Sequence, residues 1–406
     1  MLSYRHGFHA GNHADVLKHY VLVELLEYLN NKDTAYSYID THAGAGLYSL
    51  DTGYATKNAE YETGISPLWE CEDVPAALQS YLDIIRDLNP SGRLRYYPGS
   101  PYFAEQILRD QDRLRLFELH PSEIKILGEN FHKLAQHKAE QGVRQVSRGK
   151  RVMINAGDGF EGLKGLLPPP SRRALVLIDP PYEVKDDYRR VKVCLEDAVQ
   201  RFPTGTYAVW YPALARQESQ QLPERLKRVQ GNSWLNVTLS ISGPTPDGFG
   251  LHSSGMFIIN PPWTLEATLK EVMPFLVRVL GKDKQARFTL ESGEPLKGLA
   301  EKRERSSPNP FADAEVVDNR FATRKSDRNE PRSRTVIQAR GSDEGRSENR
   351  APRTGSKTAF GTGINSSRNS TSGARTASSP RGQRSLRDST NRHTSTSRSA
   401  PRTRNK

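Results

Sequence analysis

Short runs of apolar residues alternate with longer segments of helical periodicity through the first 280 residues of the chain. The clearest run, Ala174–Ile178, is followed by Asp179 and two prolines, so it predicts a buried parallel strand that ends abruptly. A proline has no N–H to donate, and the chain must therefore leave the sheet there. By the same patterns, strands are predicted at 35–40, 114–118, 152–155, 174–179, 206–211, 236–241 and 256–259, and helices at 13–30, 121–138, 159–167, 187–202, 214–229 and 264–280.

This order of seven strands with crossover helices predicts an α/β fold with a doubly wound, mostly parallel sheet. The alternation is interrupted between residues 48 and 95, where mostly helical spacing punctuated by prolines predicts an inserted helical subdomain. In such a sheet, ligands bind at the carboxyl ends of the parallel strands, which is where the chemistry should be sought.

The last quarter of the chain differs sharply in composition from the rest. Residues 301–406 contain 24 basic and 11 acidic residues, a formal charge of +13, whereas residues 1–300 contain 35 basic and 36 acidic residues. Large apolar residues are too rare there to offset the entropy of ordering the chain. We therefore predict a folded domain over 1–285 and a basic, Ser/Arg-rich, disordered tail over 286–406. The tail either adds nonspecific RNA affinity or is a dispensable extension.

Cysteine content and hydropathy exclude several classes of protein. The two cysteines, Cys71 and Cys194, lie far apart, which argues against a disulfide scaffold and against a zinc site built from cysteines. The N-terminus is polar and no apolar run approaches the length of a membrane span. We expect a soluble cytoplasmic protein with no membrane association.

The turn Asp179-Pro180-Pro181-Tyr182 combines hydrogen-bond acceptors with an aromatic face. The Asp179 carboxylate and the Pro180 carbonyl are suited to accept from the amine of a flat ring such as adenine, which helps to free its delocalised lone pair. Tyr182 is predicted to stack on an extruded base. A proline-rich structural turn is the alternative. The Asp/Asn-Pro-Pro-aromatic pattern recurs at 260–263, on one of the last strands, where it is interpreted as structural or as a wall of the site.

Three other segments with candidate chemistry follow predicted strands. The small-residue turn 40–46 would let a ligand approach the backbone closely. Glu118 and the pair Asp158-Gly159 place carboxylates where a nucleotide would offer ribose hydroxyls or an adenine amine. Each has a structural alternative: an ordinary glycine turn, a solvated acid at a strand end, and a turn dipeptide.

The segment 4–19 is rich in histidine. No suitable spacing of cysteines or carboxylates accompanies the histidines, so no metal site is predicted. A polar cap over the active site is favoured, in which Tyr4 and Arg5 meet a base and a phosphate while Lys18 and His19 face a cofactor. The alternative is a helix N-cap region with solvated histidines.

Together these segments resemble the 23S ribosomal RNA (adenine-2030-N6)-methyltransferase family. The resemblance covers about residues 1–281 and is carried by the strings 2–6, 9–19, 40–46, 178–182 and 260–263. It implies a Rossmann-like class I methyltransferase fold with an inserted helical subdomain, an antiparallel reversal of the last strands, and S-adenosylmethionine as the cofactor. The residues that it implies for the cofactor are His19, His42, Gly44 of the glycine turn, Ser100, Glu118, Asp158, Gly159 and Asp179.

The resemblance also implies how the reaction centre is arranged. Asp179 would be the catalytic residue, with Pro180 and Tyr182 around the base, Lys18 and His6 nearby, and Tyr4 on the RNA. The expected function is methylation of adenine N6 in 23S rRNA by a monomer. Methylation of DNA adenine or of a protein glutamine amide remains an alternative, because both reactions use similar motifs.

Overall fold

The computed structural model describes residues 4–142, 151–229, 232–244 and 250–294. All the predicted site residues lie within these ranges. Of the predicted tail over 286–406, everything after residue 294 lies outside the described residues. In the part of the chain that is described, no helix is long and apolar enough to cross a membrane.

Strands and helices alternate along most of the chain. The strands are β1 Ser37–Asp40, β2 Leu47–Ser49, β3 Tyr96–Pro98, β4 Arg113–Glu118, β5 Val152–Ala156, β6 Ala174–Ile178, β7 Thr206–Pro212, β8 Trp234–Ser240, β9 Ser253–Ile259 and β10 Arg287–Gly293. The α-helices are α1 His13–Asn30, α2 Ala55–Asn58, α3 Ile65–Trp69, α4 Ala76–Leu88, α5 Ser100–Ile107, α6 Pro121–Glu140, α7 Gly159–Leu163, α8 Lys185–Arg201, α9 Gln217–Leu226 and α10 Leu265–Leu280. Two 3-10 turns span His6–Phe8 and Glu60–Thr63.

The main sheet has the strand order β10-β8-β9-β7-β6-β1-β4-β5. The five strands from β7 to β5 are parallel to one another, whereas β9 is antiparallel to both β7 and β8. The expected doubly wound, mostly parallel α/β sheet, with an antiparallel reversal among its last strands, is therefore confirmed. The strand that precedes Asp179 is the direct neighbour of the strand that precedes the glycine turn.

The sheet has one strand more than the sequence predicts. Strand β10 pairs antiparallel with β8 and lies beyond the predicted domain end at 285, so both the count of seven strands and that boundary need correction. At this edge only three of the seven residues of the strand are partly buried, and charged residues occupy exposed positions. The apolar signal is consequently too weak to separate the strand from a polar tail.

Between β1 and β4, where an inserted helical subdomain is predicted, the chain forms the short antiparallel pair β2–β3 and helices α2 to α5. Helix α1 packs against α4 and α5 on one side and against β7 and β9 on another. Asn12 caps its N-terminus by accepting hydrogen bonds from the backbone N–H groups of Ala14 and Asp15. Because α1 is enclosed, it carries polar residues of its first two turns into the interior.

Candidate active site

A first cavity lies at the carboxyl ends of β1, β4, β5 and β6. Asp40, at the end of β1, is in register with Leu116 of β4 and Leu177 of β6, so the turns after these strands converge on one space. The predicted residues that line this cavity are Tyr4, His6, Lys18, His19, His42, Gly44, Ser100, Glu118, Asp158, Gly159, Asp179 and Pro180. These predicted residues thus line one connected space, whereas the predicted residues Arg5 and Tyr182 do not line it.

A second cavity lies directly beside the first. Its lining includes residues of the N-terminal segment, Tyr182 and Trp210 behind the Asp179 turn, and Arg216 at the start of α9. The two cavities share Tyr4, His6, Lys18, Asp179 and Pro181. These shared residues form the wall between the two spaces, which we call the dividing wall.

A continuous chain of hydrogen bonds runs through the dividing wall. The Lys18 ammonium donates to Asp179 Oδ2 at 2.7 Å and contacts Asp15 Oδ1 at 2.9 Å. Asp15 Oδ2 lies 2.8 Å from His6 Nε2, and His6 Nδ1 lies 2.9 Å from the Tyr4 hydroxyl. Since an ionised carboxylate only accepts, His6 donates from Nε2, and in the neutral ring Nδ1 is then the acceptor for the Tyr4 hydroxyl.

The charged groups along this series of hydrogen bonds stabilise one another. Burial opposes a charge on Lys18, but the carboxylates of Asp15 and Asp179 outweigh this effect and raise the pKa of Lys18 above its ordinary value. Burial likewise opposes ionisation of Asp15, but His6 and Lys18 hold the pKa of that carboxyl well below its usual range. Burial raises the pKa of the Tyr4 hydroxyl, which is therefore a neutral donor.

Glu118 is oriented by two backbone amides. Its Oε2 accepts from Gly44 N and its Oε1 accepts from His120 N, both at 2.7 Å. Each oxygen keeps a second lone pair for a ligand in the first cavity. The glycine turn and the predicted ribose-binding acid are thus one hydrogen-bonded unit, although 74 residues separate Gly44 from Glu118.

Asp158 caps helix α7 at the other side of the first cavity. Its Oδ1 accepts from Phe160 N at 2.9 Å, and its Oδ2 lies 2.5 Å from the Arg190 guanidinium. Although burial favours the neutral form, Arg190 and the amide hold the pKa of Asp158 below its ordinary value. The carboxylate is therefore an ionised acceptor, part of whose capacity is taken by Arg190.

Two histidines face the first cavity in neutral form because burial lowers their pKa values, to about 4 for His42 and well below the ordinary value for His19. The Thr41 hydroxyl donates to Leu177 O, so it accepts from His42 Nδ1 and leaves Nε2 of that ring as an acceptor. His19 Nδ1 lies 2.9 Å from the Tyr97 hydroxyl, whereas its buried Nε2 has no partner among the described residues.

Close backbone approaches shape the floor of the first cavity. Gly44 has φ +58°, and a Cβ there would lie 2.4 Å from the Tyr48 hydroxyl. A Cβ on Gly159 would lie 2.0 Å from Thr41 O. Side chains at either glycine would therefore push the turns apart.

Asp40, at the end of β1, is held by a neighbouring hydroxyl. Ser100 donates to Asp40 Oδ2 at 2.7 Å, and burial raises the pKa of Asp40 to about 6.

Tyr182 occupies a different place from the one predicted. Tyr182 is only 3% exposed and has a backbone φ of +52°. Its hydroxyl donates to Trp210 O at 2.7 Å. The ring packs against Tyr188 and Trp210, with centroids 4.7 and 5.9 Å away. In this arrangement it supports the Asp179 turn and offers almost no free face to a base, so the predicted stacking would require these contacts to open.

The second Asn-Pro-Pro-aromatic segment, 260–263, lies at the opposite end of the parallel strands, where they begin. Strand β9 runs antiparallel to β7 and pairs Ile259 with Tyr207, near the start of β7. The Asn260 amide donates to Pro203 O and Gly205 O, both at 2.7 Å, from a backbone with φ +53°. The segment is therefore structural, and the alternative interpretation as a wall of the site is wrong.

The N-terminal histidines have separate partners. His6 binds Asp15, His9 binds Glu60, and His19 lies beside Tyr97. Within the described residues no group of three or more His, Cys, Asp or Glu side chains could hold a metal ion. The polar-cap interpretation fits His6, which lines both cavities.

Sequence reasoning missed several residues that complete the site. Asp15, Trp210 and Arg216 line the second cavity, and Glu123 and Arg190 line the first. For Asp15 a signal existed, because its spacing of three from Lys18 puts both on one helix face. For the others only the three-dimensional packing brings them to the cavities.

Comparison with known proteins agrees with this site. The model of the family described as ribosomal RNA large subunit methyltransferase D, RlmJ, matches residues 33–291. The ribosomal RNA large subunit methyltransferase J of Haemophilus influenzae is 44% identical over 292 residues, which cover 72% of this chain and 98% of that protein. The protein of the same name from Escherichia coli is 45% identical over 276 residues, 68% of this chain and 93% of its own length.

A solved structure shows the same fold. The crystal structure of a Legionella pneumophila protein, 36% identical in sequence, superposes with a TM-score of 0.61 over 70% of this chain and 98% of that chain. With the family model matching most of the folded part and two relatives well above 30% identity, the assignment is unambiguous. The chain belongs to the RlmJ family of ribosomal RNA large subunit methyltransferases.

Proposed function

We propose that the chain transfers a methyl group from S-adenosylmethionine to the N6 amine of one adenine in 23S rRNA. The observation that carries this proposal is the position of Asp179 in the dividing wall, where it faces both cavities. A cofactor in the first cavity and a base in the second would meet at that carboxylate. Methyl transfer to purified 23S rRNA, with mapping of the modified nucleotide, tests the proposal.

The first cavity fits an adenosine-containing cofactor. Glu118 presents oriented lone pairs to ribose hydroxyls, and Asp158 presents an acceptor to an adenine amine. The unpartnered Nε2 of His19 offers a buried polar atom to the remaining part of the ligand. S-adenosylmethionine bound there supplies an electrophilic methyl group on a sulfonium.

The protein's own part in the reaction is to hold the amine, to stabilise the positive charge that develops on it and to accept its proton. The Asp179 carboxylate and the Pro180 carbonyl accept the N–H groups of the amine, so that the nitrogen lone pair can point at the methyl carbon. As the nitrogen forms its bond to carbon it becomes positively charged, and the carboxylate can accept the proton that it then loses. Lys18 fixes Asp179 Oδ2, which leaves Oδ1 for the substrate.

The two relatives favour ribosomal RNA as the substrate, since both are named as ribosomal RNA large subunit methyltransferases. DNA adenine and a glutamine amide would meet the same acceptors, so the geometry of Asp179 does not separate them. We further propose that the protein acts as a monomer in the cytoplasm, where its substrate is assembled. The basic part of the chain after residue 294 is proposed as a nonspecific RNA-binding segment.

A cluster of aromatic and basic side chains, where residues 5–8 meet residues 54–57, suits single-stranded RNA. Arg5 donates to the Tyr54 hydroxyl at 2.7 Å and its guanidinium carbon lies 5.0 Å from the centroid of that ring, while the Phe8 ring packs against Tyr54 with centroids 4.7 Å apart. Lys57 lies over Phe8, with its ammonium 5.7 Å from the ring centroid. Tyr54 is 39% exposed, so bases flanking the target could stack there while Arg5 and Lys57 meet phosphates.

Glu118→Gln should weaken cofactor binding by about 10- to 100-fold, because a glutamine has one oxygen for two backbone donors and loses the charge that strengthens bonds to hydroxyls. Isothermal titration calorimetry with S-adenosylmethionine measures the effect. The matched control is Glu105→Gln, a buried carboxylate that binds Arg151 and Lys138 instead. Equal affinities of the Glu118→Gln variant and the unmodified protein would remove Glu118 from the cofactor site.

Lys57→Ala should weaken RNA binding without changing cofactor affinity. Each phosphate contact to single-stranded nucleic acid contributes roughly 0.7 to the slope of log affinity against log salt, so the slope should fall by about that amount. Binding of an rRNA fragment over a series of salt concentrations gives the slope. Lys192→Ala, on the exposed face of α8, is the control, and an unchanged slope for Lys57→Ala would contradict the assignment.

A further inference from the structure

Asp15 is the buried residue through which the N-terminal segment reaches the reaction centre. It lies in the first turn of α1 and is 1% exposed. Its Oδ2 accepts from His6 Nε2 at 2.8 Å and from Gly11 N at 2.9 Å, while its Oδ1 contacts the Lys18 ammonium at 2.9 Å. The two oxygens therefore have different tasks, one toward the N-terminal segment and one toward Lys18.

The position of Asp179 depends on this arrangement. The ammonium of Lys18 is held between Asp15 Oδ1 and Asp179 Oδ2, and its side chain is 5% exposed. A lysine side chain has many rotamers, and a single partner would not fix it. With Asp15 as the second partner, the ammonium is held at one point, from which it sets the orientation of the Asp179 carboxylate.

The same carboxylate also fixes the opposite end of the dividing wall. His6 is anchored to Asp15 and is hydrogen-bonded to the Tyr4 hydroxyl, and His6 and Tyr4 both line both cavities. Asp15 itself lines only the second cavity. One buried group therefore links the acceptor of the amine to the aromatic part of the wall.

We propose that Asp15 is a positioning residue for methyl transfer, which holds Lys18 against Asp179 with one oxygen and the His6 ring with the other. This inference rests on the proposed function for its kinetic consequence, since it concerns the same reaction centre. It does not make Asp15 a group that accepts the proton of the amine. The effect of Asp15 is expected in the rate of the transfer step rather than in the affinity for the cofactor.

The first variant is Asp15→Asn, which keeps the shape and removes the charge. Its single oxygen is expected to stay with the two donors His6 and Gly11, which leaves the amide NH2 facing the Lys18 ammonium. We expect kcat to fall by about 10- to 100-fold, as for a small misplacement of a reacting group, with little change in the cofactor Kd. Asp112→Asn, another buried carboxylate that caps backbone amides far from both cavities, controls for the general cost of removing a buried charge.

A pH profile separates positioning from a merely structural role. The charged and titratable groups that face Asp15 and Lys18 are His6 and Tyr4 of the N-terminal segment, His19 of the same helix, and Asp179. Loss of one carboxylate should lower the pKa of Lys18, so the alkaline limb of kcat should move to lower pH in Asp15→Asn. In Asp15→Glu, which keeps the charge, the limb should stay in place although kcat falls.

Nitrogen NMR of the lysine ammonium groups provides an independent measurement on the unmodified protein. The Lys18 signal should persist above the pH at which ordinary lysines lose their proton, and this holds whether or not rRNA is the substrate. A Lys18 signal that titrates with the other lysines would overturn the proposal, as would a folded Asp15→Asn protein with native kcat or a native alkaline limb. If the NMR result is as expected but no RNA is methylated, the proposed function fails and the positioning of Lys18 stands.

Discussion

Asp179→Ala is expected to abolish most methyl transfer, with kcat reduced by roughly 10²- to 10³-fold or more. The substitution removes the acceptor that orients the amine, the group that stabilises its developing charge, and the partner of Lys18. Single-turnover methylation of 23S rRNA at saturating cofactor isolates this step. The cofactor should still bind, because Glu118, Asp158 and His19 remain in place.

The chain contains its own matched control for this variant. Asn260 begins the same Asn-Pro-Pro-aromatic pattern, but it lies at the opposite end of the parallel strands and binds two backbone carbonyls. Asn260→Ser should therefore lower the free energy of unfolding by about 1–3 kcal/mol while kcat stays native. If Asn260→Ser lost activity as severely as Asp179→Ala in folded protein, the assignment of the two segments would be reversed.

Lys18→Met should have the largest effect on stability. Methionine matches the length of the aliphatic part, but it leaves the carboxylates of Asp15 and Asp179 without their shared cation, with side chains that are 2% and 13% exposed. Removing one partner from a buried ion pair typically costs about 3–5 kcal/mol, and we expect a loss in that range in chemical denaturation at neutral pH. Methyl transfer should fall with it, because Asp179 is no longer held.

The pH dependence of this deficit follows from the direction of the pKa shifts. The pKa of Asp15 in the folded protein is depressed, so its stabilising effect is present above the ordinary pKa of an aspartate and is lost as the pH falls through the folded value. Without Lys18 the Asp15 carboxylate becomes easier to protonate. The stability difference between Lys18→Met and the unmodified protein should therefore shrink as the pH is lowered toward about 4.

A second substitution tests the electrostatic origin of the deficit. Adding Asp15→Asn to Lys18→Met removes one of the two uncompensated charges and should recover part of the stability without recovering activity. A deficit that is independent of pH and unaffected by Asp15→Asn would instead point to lost packing around the lysine stem.

The chemistry-bearing turns could be predicted from the sequence because each is a local signal at a strand end. Asp40–Gly46, Glu118, Asp158 and Asp179 all follow short apolar runs, and parallel strands bring their carboxyl ends to one edge. Sheet order then decided between the two Pro-Pro segments. The predicted site residues consequently meet in one place, apart from Arg5 and the ring of Tyr182.

What the sequence did not show depends on packing between distant segments. The side chain of Tyr182 is taken up by Tyr188 and Trp210, which no local pattern indicates. Asp15 looked like one polar residue among several at a helix start, and its importance arises only because α1 is enclosed between the sheet and helices α4 and α5. Strand β10 was missed because an exposed edge strand needs few apolar residues.

The most direct test of the account is methyl transfer from labelled S-adenosylmethionine to three substrates in parallel: 23S rRNA, duplex DNA and a release-factor protein that carries a glutamine acceptor. The account predicts label in N6-methyladenosine at a single position of the rRNA with the unmodified protein, and none above background with Asp179→Ala. Label that enters DNA or the protein but not the rRNA, or an undiminished rRNA signal with Asp179→Ala, would contradict it.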